Sequence, residues 1–357
     1  MSTYIKFFIN LFFKSLFYVL GVMICLVFIL NLLGELEFFR NSSVDIYFTL
    51  SLALINSPSM IFEMFPFIFL ITSQLFFIKL LNNNELDTFK YSGLKNSKIL
   101  GILTSISFIT GIFIVLVFYN FSSNLKNIYL ELKSPFTNDG KYLAVVTKNG
   151  LWIRDKVGNK TLVINSSKID QNYLMDNFIT VFDEGYNVIE NINSNKIDIT
   201  NNEWIIYEPK IYKKNNYENK KVLRLRTNFN YKRIQSLYSN LTSLSVIELY
   251  QLRENYKKLN YSITDVDLQL LKIVTNPIYL VLMSLFSALI MIKIKHINNT
   301  TVKISLGLFF SVVIYYINNF FFVLGSTEKL TTIFSIFIPL LMLTFINIFM
   351  LNKINEK

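Results

Sequence analysis

The chain has 357 residues, is 52% hydrophobic, contains 34 phenylalanines and carries a formal net charge of +11. That composition is too apolar for one soluble domain of ordinary usage. A single cysteine, Cys25, and a single histidine, His296, exclude an intrachain disulfide framework and any Cys-based metal site.

In chain order the first element is an apolar run at Leu16–Leu33, and five more follow at Ile61–Leu81, Ile99–Phe118, Ile273–Ile292, Ile304–Leu324 and Ile333–Leu351. Each runs about 18 to 21 residues, and a helix rising about 1.5 Å per residue needs about 20 to cross a hydrocarbon core. Their interiors are uncharged apart from Glu63 and Lys79 near the ends of the second run. The first run is too long for a typical signal-peptide core, and Asn31-Leu32-Leu33-Gly34-Glu35 is not a small-residue cleavage site, so a retained first helix is expected. The pattern predicts three spans within residues 1–120, a polar insert at 121–264 and three spans within 265–357.

The loop after the second run, Asn82-Asn83-Asn84-Glu85-Leu86-Asp87-Thr88-Phe89-Lys90-Tyr91-Ser92-Gly93, reads as a short amphipathic helix over about 84–93. Asparagine caps it, Glu85 and Asp87 suit its first turn, and Gly93 is a C-terminal stop. On these residues alone an ordinary connecting turn is an equal alternative.

Within the insert, short runs rich in β-branched and aromatic residues predict strands at Tyr142–Thr147, Leu151–Arg154, Thr161–Asn165, Phe178–Phe182, Val188–Ile192, Lys196–Ile199, Trp204–Tyr207 and Val222–Arg226. Turns are expected at Lys148-Asn149-Gly150, Val157-Gly158-Asn159 and Asp183-Glu184-Gly185. Such spacing without helical periods indicates an all-β sandwich, jelly roll or open barrel. The insert has no histidine and its carboxylates fall mostly in turns, so no catalytic constellation is expected there. Ser245-Val246-Ile247-Glu248 is a capping box opening a surface helix, and Thr264-Asp265 starts a long fourth span.

Charge orients the spans, because Lys and Arg concentrate in cytoplasmic loops. With the N-terminus inside, eleven lysines from Lys6 to Lys357 stand against only Glu85, Asp87 and Glu356 on the cytoplasmic side. The two short outer loops hold Arg40 and Lys329 against Glu35, Glu37, Asp45, Glu63 and Glu328. Both termini are then cytoplasmic and the insert lies outside. The basic excess is therefore mostly topological, and nucleic acid is not an expected partner.

The segment Glu85–Gly93 resembles the E-L-x-x-x-(R/K)-x-x-G segment of the LptF/LptG permeases, the membrane subunits of the lipopolysaccharide exporter. Gly150-Leu151-Trp152-Ile153-Arg154-Asp155 is similar to a Trp-bearing strand of the LptG-type subunits, and three spans, a β-jellyroll-like domain and three spans is that family's layout. The resemblance implies an α-helical membrane protein with an inserted all-β jellyroll-like periplasmic domain, multi-pass in the bacterial inner membrane. It implies that Glu85, Leu86, Phe89, Ser92 and Gly93 form a coupling helix on an LptB-like ATPase dimer, and that Gly150, Trp152 and Arg154 form a periplasmic motif. It also implies a second LptF-like permease, LptC-like and LptA-like β-jellyroll partners, and lipopolysaccharide as substrate. Where LptG-type subunits carry lysines at the outer end of the first span, this chain has Glu35 and Glu37 with Arg40.

The expected function is thus a permease subunit of an ABC-type exporter that extracts lipopolysaccharide or a related glycolipid. Arg40, Asn318 and Asn319 are candidate substrate contacts. No cofactor, metal or catalytic residue is expected, and the chain has no G-x-x-x-x-G-K-[ST] segment, so ATP hydrolysis falls to a separate partner. Two alternatives stand beside this: a permease for lipoprotein or peptide export, which usually has four spans, and a membrane sensor, which normally carries a sizeable cytoplasmic output domain. His296 reads as a solvated basic-loop residue.

Overall fold

A computed structural model describes residues 3–40, 44–82, 85–133, 136, 151–170, 172–213, 216–231, 234, 240–258, 262–295, 297 and 299–355. At 154, 156, 168–170, 354 and 355 only the backbone is described. The expected strand at Tyr142–Thr147, the turn through Gly150 and His296 lie outside the described residues. The chain divides into a helical unit (1–129, 242–249 and 263–357) and a β unit (130–241 and 250–262).

Among the described residues, the helical unit contains six helices long and apolar enough to cross a membrane: α1 (Thr3–Phe38), α2 (Ile46–Asn82), α4 (Asn96–Lys133), α6 (Thr264–Lys293), α7 (Thr300–Ser326) and α8 (Thr332–Asn355). A short α3 (Glu85–Tyr91) joins α2 to α4. α5 (Val246–Lys258) precedes α6. The first three spans are longer than the apolar runs alone indicate. α1, at 36 residues, is about 54 Å long against a core of about 30 Å.

α2 and α6 form the centre of this unit. Their apolar windows are 67% and 72% buried, against 22% for α1 and 11% for α7. Both tolerate internal prolines, Pro58 and Pro66 in α2 and Pro277 in α6. Helices in a membrane gain no hydrophobic drive from one another, so small residues and polar pairs set their contacts. The Ser107 hydroxyl donates to the Ser284 hydroxyl at 3.1 Å between α4 and α6, and the Ser287 hydroxyl donates to the Leu70 carbonyl at 2.8 Å between α6 and α2. Gly111 gives α4 its approach to α6, since a Cβ there would stand 3.0 Å from the Pro277 Cα. Three residues on, α4 widens into a π-helical stretch over Ile114–Tyr119.

Among the described residues the β unit is one antiparallel sheet. Its strands are β1 (Leu151–Val157), β2 (Lys160–Asp170), β3 (Tyr173–Phe182), β4 (Val188–Asp198), β5 (Glu203–Tyr207), β6 (Lys210–Lys213), β7 (Asn216–Asn219) and β8 (Val222–Arg226). The order is β1-β2-β3-β4-β5-β8, with β6 pairing β4 and β7. Alternate residues fill one core, in which Ile153, Ile164, Ile179, Ile192, Ile206 and Trp204 are buried. The Trp204 indole N–H donates to the Phe229 carbonyl at 2.8 Å, which satisfies its one polar atom in the core. Gly158, at φ +60°, supplies the left-handed conformation that the two-residue β1–β2 turn needs.

Two expectations are corrected here. Val188–Ile192 and Lys196–Ile199 are one strand, β4, because the intervening Asn193-Ser194-Asn195 continues it. Ser194 donates its hydroxyl to the Tyr207 carbonyl at 2.7 Å, and the Asn177 amide donates to the Ser194 carbonyl at 3.2 Å. Ser194 thus finds partners on both neighbouring strands. The β6–β7 hairpin was not expected at all; its polar Lys210–Asn219 stretch lacks the apolar alternation that marks a strand.

Candidate functional site

α3 is a seven-residue helix, closed as its sequence requires. Gly93 adopts φ +86°, the Leu94 N–H donates to the Phe89 carbonyl at 3.0 Å, and the Gly93 N–H donates to the Lys90 carbonyl at 2.9 Å. This pair of bonds around a left-handed glycine is the Schellman stop. The helix is two-faced. Leu86 is buried, and the half-buried Phe89 ring stands 4.9 Å from the Phe8 ring and 5.7 Å from the Phe7 ring of α1. Asp87, Thr88, Tyr91 and Ser92 point outward, with Tyr91 93% exposed. Glu85 is half-buried at the start of the helix. Lys90 is also half-buried.

At the far end of α1, Arg40 is exposed in the turn after the helix, while Glu35 faces inward and is 4% exposed. The Tyr129 hydroxyl donates to the Glu35 carboxylate at 2.7 Å. Below it the Lys126 ammonium donates to the Asn56 side-chain oxygen at 2.6 Å and lies 4.8 Å from the Tyr129 ring. The Asn56 amide donates to the Asn31 oxygen at 3.0 Å, and the Asn31 amide reaches the Ala53 carbonyl and the Ser57 hydroxyl. This network ties α1, α2 and α4. Glu35 is therefore a structural partner in the bundle, and Glu37 is the exposed acid of the pair.

Asn318 and Asn319 are brought together in a cavity of about 240 Å³ between α2, α6, α7 and α8. α2 contributes Phe62, Glu63 and Pro66; α6 contributes Lys272, Thr275, Asn276 and Tyr279. α7 adds Tyr315, Asn318, Asn319 and Phe322, and α8 adds Ile336 and Leu340. Asn318 and Tyr279 both line the cavity, and the Lys272 ammonium lies 5.4 Å from the Phe322 ring. The Asn276 side-chain oxygen is buried and has no partner among the described residues. Arg40 does not line this cavity.

Trp152 lies on β1, at an end of the strand order, opposite Asn165, with 56% of its surface exposed. Arg154 pairs through its backbone with Val163. Between them and beyond, Ile153 and Asp155 point inward, and the Asp155 carboxylate accepts from the Asn228 backbone N–H and side-chain amide, both at 2.8 Å.

Sequence reasoning missed Tyr91, Lys272, Asn276 and Tyr279. The signal for the last three was present: polar and ionisable residues within a span mark a cavity or a partner. The expected start of the fourth span at Thr264-Asp265 agrees with α6, which begins at Thr264, but Lys272 stands just ahead of the apolar run at Ile273 and was not read as part of a cavity wall.

Six apolar helices, three on each side of an antiparallel β insert, define a multi-pass membrane protein of permease layout. The sequence matches the family described as lipopolysaccharide export system permease LptF/LptG over residues 6–353, nearly the whole chain, and the chain belongs to that family. It is accordingly a lipopolysaccharide export permease, a transport component. The match does not divide LptF from LptG. Comparison with curated proteins gives no match.

Proposed function

We propose that the chain is the LptG-like permease subunit of an ABC-type exporter that draws lipopolysaccharide from the inner membrane and passes it to a periplasmic bridge. α3 carries this reading. Seven residues packed on α1 through Phe89, with Leu86 buried and Asp87, Thr88 and Tyr91 left outward, form a lever rather than a spacer. Force applied to its outer face passes through the Phe89–Phe8 contact directly into the first span.

In this reading α3 seats in a groove of a cytoplasmic LptB-like ATPase dimer, and Glu85 pairs with a basic group there. ATP-driven closure moves α3, and α1 and α7 shift against a second, LptF-like permease. The lightly buried outer surfaces of α1 and α7 support that placement, since they leave broad apolar faces for a neighbour or lipid. The β unit stands in the periplasm and hands the lipid to LptC-like and LptA-like β-jellyroll proteins by strand-edge pairing. The lysine-rich short loops support cytoplasmic termini. Asn318 and Asn319 meet the substrate from the cavity wall.

Purification of the tagged chain in mild detergent tests the proposal. An ATPase, a second six-span permease and bound lipopolysaccharide are expected together. Recovery of the chain with a sensor kinase, or with a peptide cargo and no glycolipid, would overturn it.

A further inference from the structure

We propose that the cavity between α2, α6, α7 and α8 binds a polyhydroxylated lipid headgroup, recognised by side-chain amides rather than by a cluster of cations. The proposal rests on the permease reading only in expecting lipopolysaccharide as the source of that headgroup. Its own basis is the chemistry of the wall.

At about 240 Å³ the space is smaller than the roughly 300–1,000 Å³ of a pocket for a drug-sized ligand. It admits one sugar- or glycerol-sized fragment, with the acyl chains left outside. Asn276, Asn318 and Asn319 each carry both an acceptor and a donor. A hydroxyl also does both, so amides and hydroxyls pair in either direction. The Asn276 oxygen is buried without a partner, so it meets a ligand only when its side chain turns toward the cavity, a rearrangement that a donor there offsets. A ligand hydroxyl is such a donor, and a phosphate, which only accepts, is not. The two charged groups on the wall, Glu63 and Lys272, cancel, so the site presents no net positive field to select a phosphate. Ile336 and Leu340 give the cavity an apolar side against which acyl chains can begin.

Three wall segments lie toward matching ends of their helices, the first part of α6 and α8 and the last part of α7, and the α2 segment lies at the middle of that helix. By the order of the spans these ends share one leaflet, the one facing the side on which the β unit is inserted. In the proposed orientation this is the outer leaflet, where a lipid awaiting export resides.

The test uses the full chain, with the partners it retains, in phosphatidylethanolamine nanodiscs doped with either lipopolysaccharide or phosphatidylglycerol. Bound lipid is counted by native mass spectrometry for wild type, the double variant Asn276→Leu/Asn318→Leu, Lys272→Met and the outward-facing control Ile346→Ala. The double variant is expected to lose about tenfold or more of its retained hydroxylated lipid, from two lost hydrogen bonds. Lys272→Met should lose much less, and Ile346→Ala nothing. Loss confined to the lipopolysaccharide arm identifies the sugar as the ligand; loss confined to the phosphatidylglycerol arm identifies the glycerol. Should the double variant misfold by size-exclusion chromatography, Asn319→Leu, exposed on the cavity wall, is read in the same way. Equal retention by wild type and variants in both arms overturns the site, as does a loss for Lys272→Met that exceeds the amide variants. Failure of the wild type to retain lipopolysaccharide counts against the permease reading, and the phosphatidylglycerol arm then decides the cavity by itself.

Discussion

Gln74 of α2 occupies the space that Gly307 of α7 leaves empty: a Cβ at position 307 would overlap the Gln74 amide, which donates to the Lys303 carbonyl at 3.2 Å. Gln74 is fully buried, and its side-chain oxygen has no partner among the described residues. One glycine thus fixes how closely α2 and α7 approach. Gly307→Ala should both crowd the amide and break its bond, costing about 1–3 kcal/mol as overpacked cores do. Gln74→Ala should free that space, so the double variant Gly307→Ala/Gln74→Ala is expected to melt above Gly307→Ala alone. Thermal unfolding in detergent measures both. A wild-type melting temperature for Gly307→Ala would show that the two helices do not pack as described.

The Glu35 carboxylate is buried where its neighbour Glu37 is exposed, and Tyr129 is one of the groups that hold it. Tyr129→Phe removes a charge-assisted hydrogen bond from a buried acid, a loss of about 1–3 kcal/mol. Glu37→Gln removes an exposed charge and should change little. The expected result is a lower melting temperature for Tyr129→Phe and an unchanged one for Glu37→Gln. Equal behaviour of the two would mean that the Asn31, Asn56, Lys126 and Tyr129 network does not stabilise the bundle.

The membrane helices were legible because their signal is long, apolar and uninterrupted, and strands such as Thr161–Asn165 and Trp204–Tyr207 because β-branched and aromatic residues cluster in them. The α3 stop was legible because only glycine enters the left-handed region freely, as Gly93 does. Other features depend on neighbours distant in sequence. Asn193-Ser194-Asn195 is chemically a turn until Asn177 and Tyr207 supply its partners. Glu35 reads as a loop acid beside the membrane until Tyr129, 94 residues on, claims it. Asn318 and Asn319 showed a polar patch, but nothing local to α7 indicated that Lys272, Asn276 and Tyr279 of α6 complete the wall.

Cysteine labelling tests the proposed orientation. Cys25 is exposed and must first be replaced by serine. In that background, cysteines at Tyr91 and Lys295 should react with an impermeant maleimide only after the membrane is opened. Cysteines at Arg40, Asn159 and Thr327 should react in spheroplasts without that treatment. All five positions are exposed, so a failure to react reports sidedness rather than burial. Labelling of Tyr91→Cys in intact spheroplasts would reverse the topology and remove α3 from the ATPase.

Coupling through α3 gives the most direct test of the mechanism. Leu86 and Phe89 anchor the helix, so substitutions on its other side should leave the bundle folded. Glu85→Lys places a cation where a basic group of the ATPase groove is proposed to sit, and like charges brought together at an interface cost several kcal/mol. The variant should therefore reach the membrane at normal yield, retain little ATPase on purification and fail to export lipopolysaccharide. Tyr91 is the large exposed aromatic of α3, the type of side chain that dominates docking energies. Tyr91→Ala is expected to weaken ATPase retention without lowering the melting temperature. Phe89→Ala should do both, because it also loosens the contact with Phe8 on α1. Lys90→Ala should be milder than either acid reversal or loss of the tyrosine. Retention of the ATPase at wild-type yield by both Glu85→Lys and Tyr91→Ala would leave α3 as a connecting turn and place the coupling surface elsewhere on the chain.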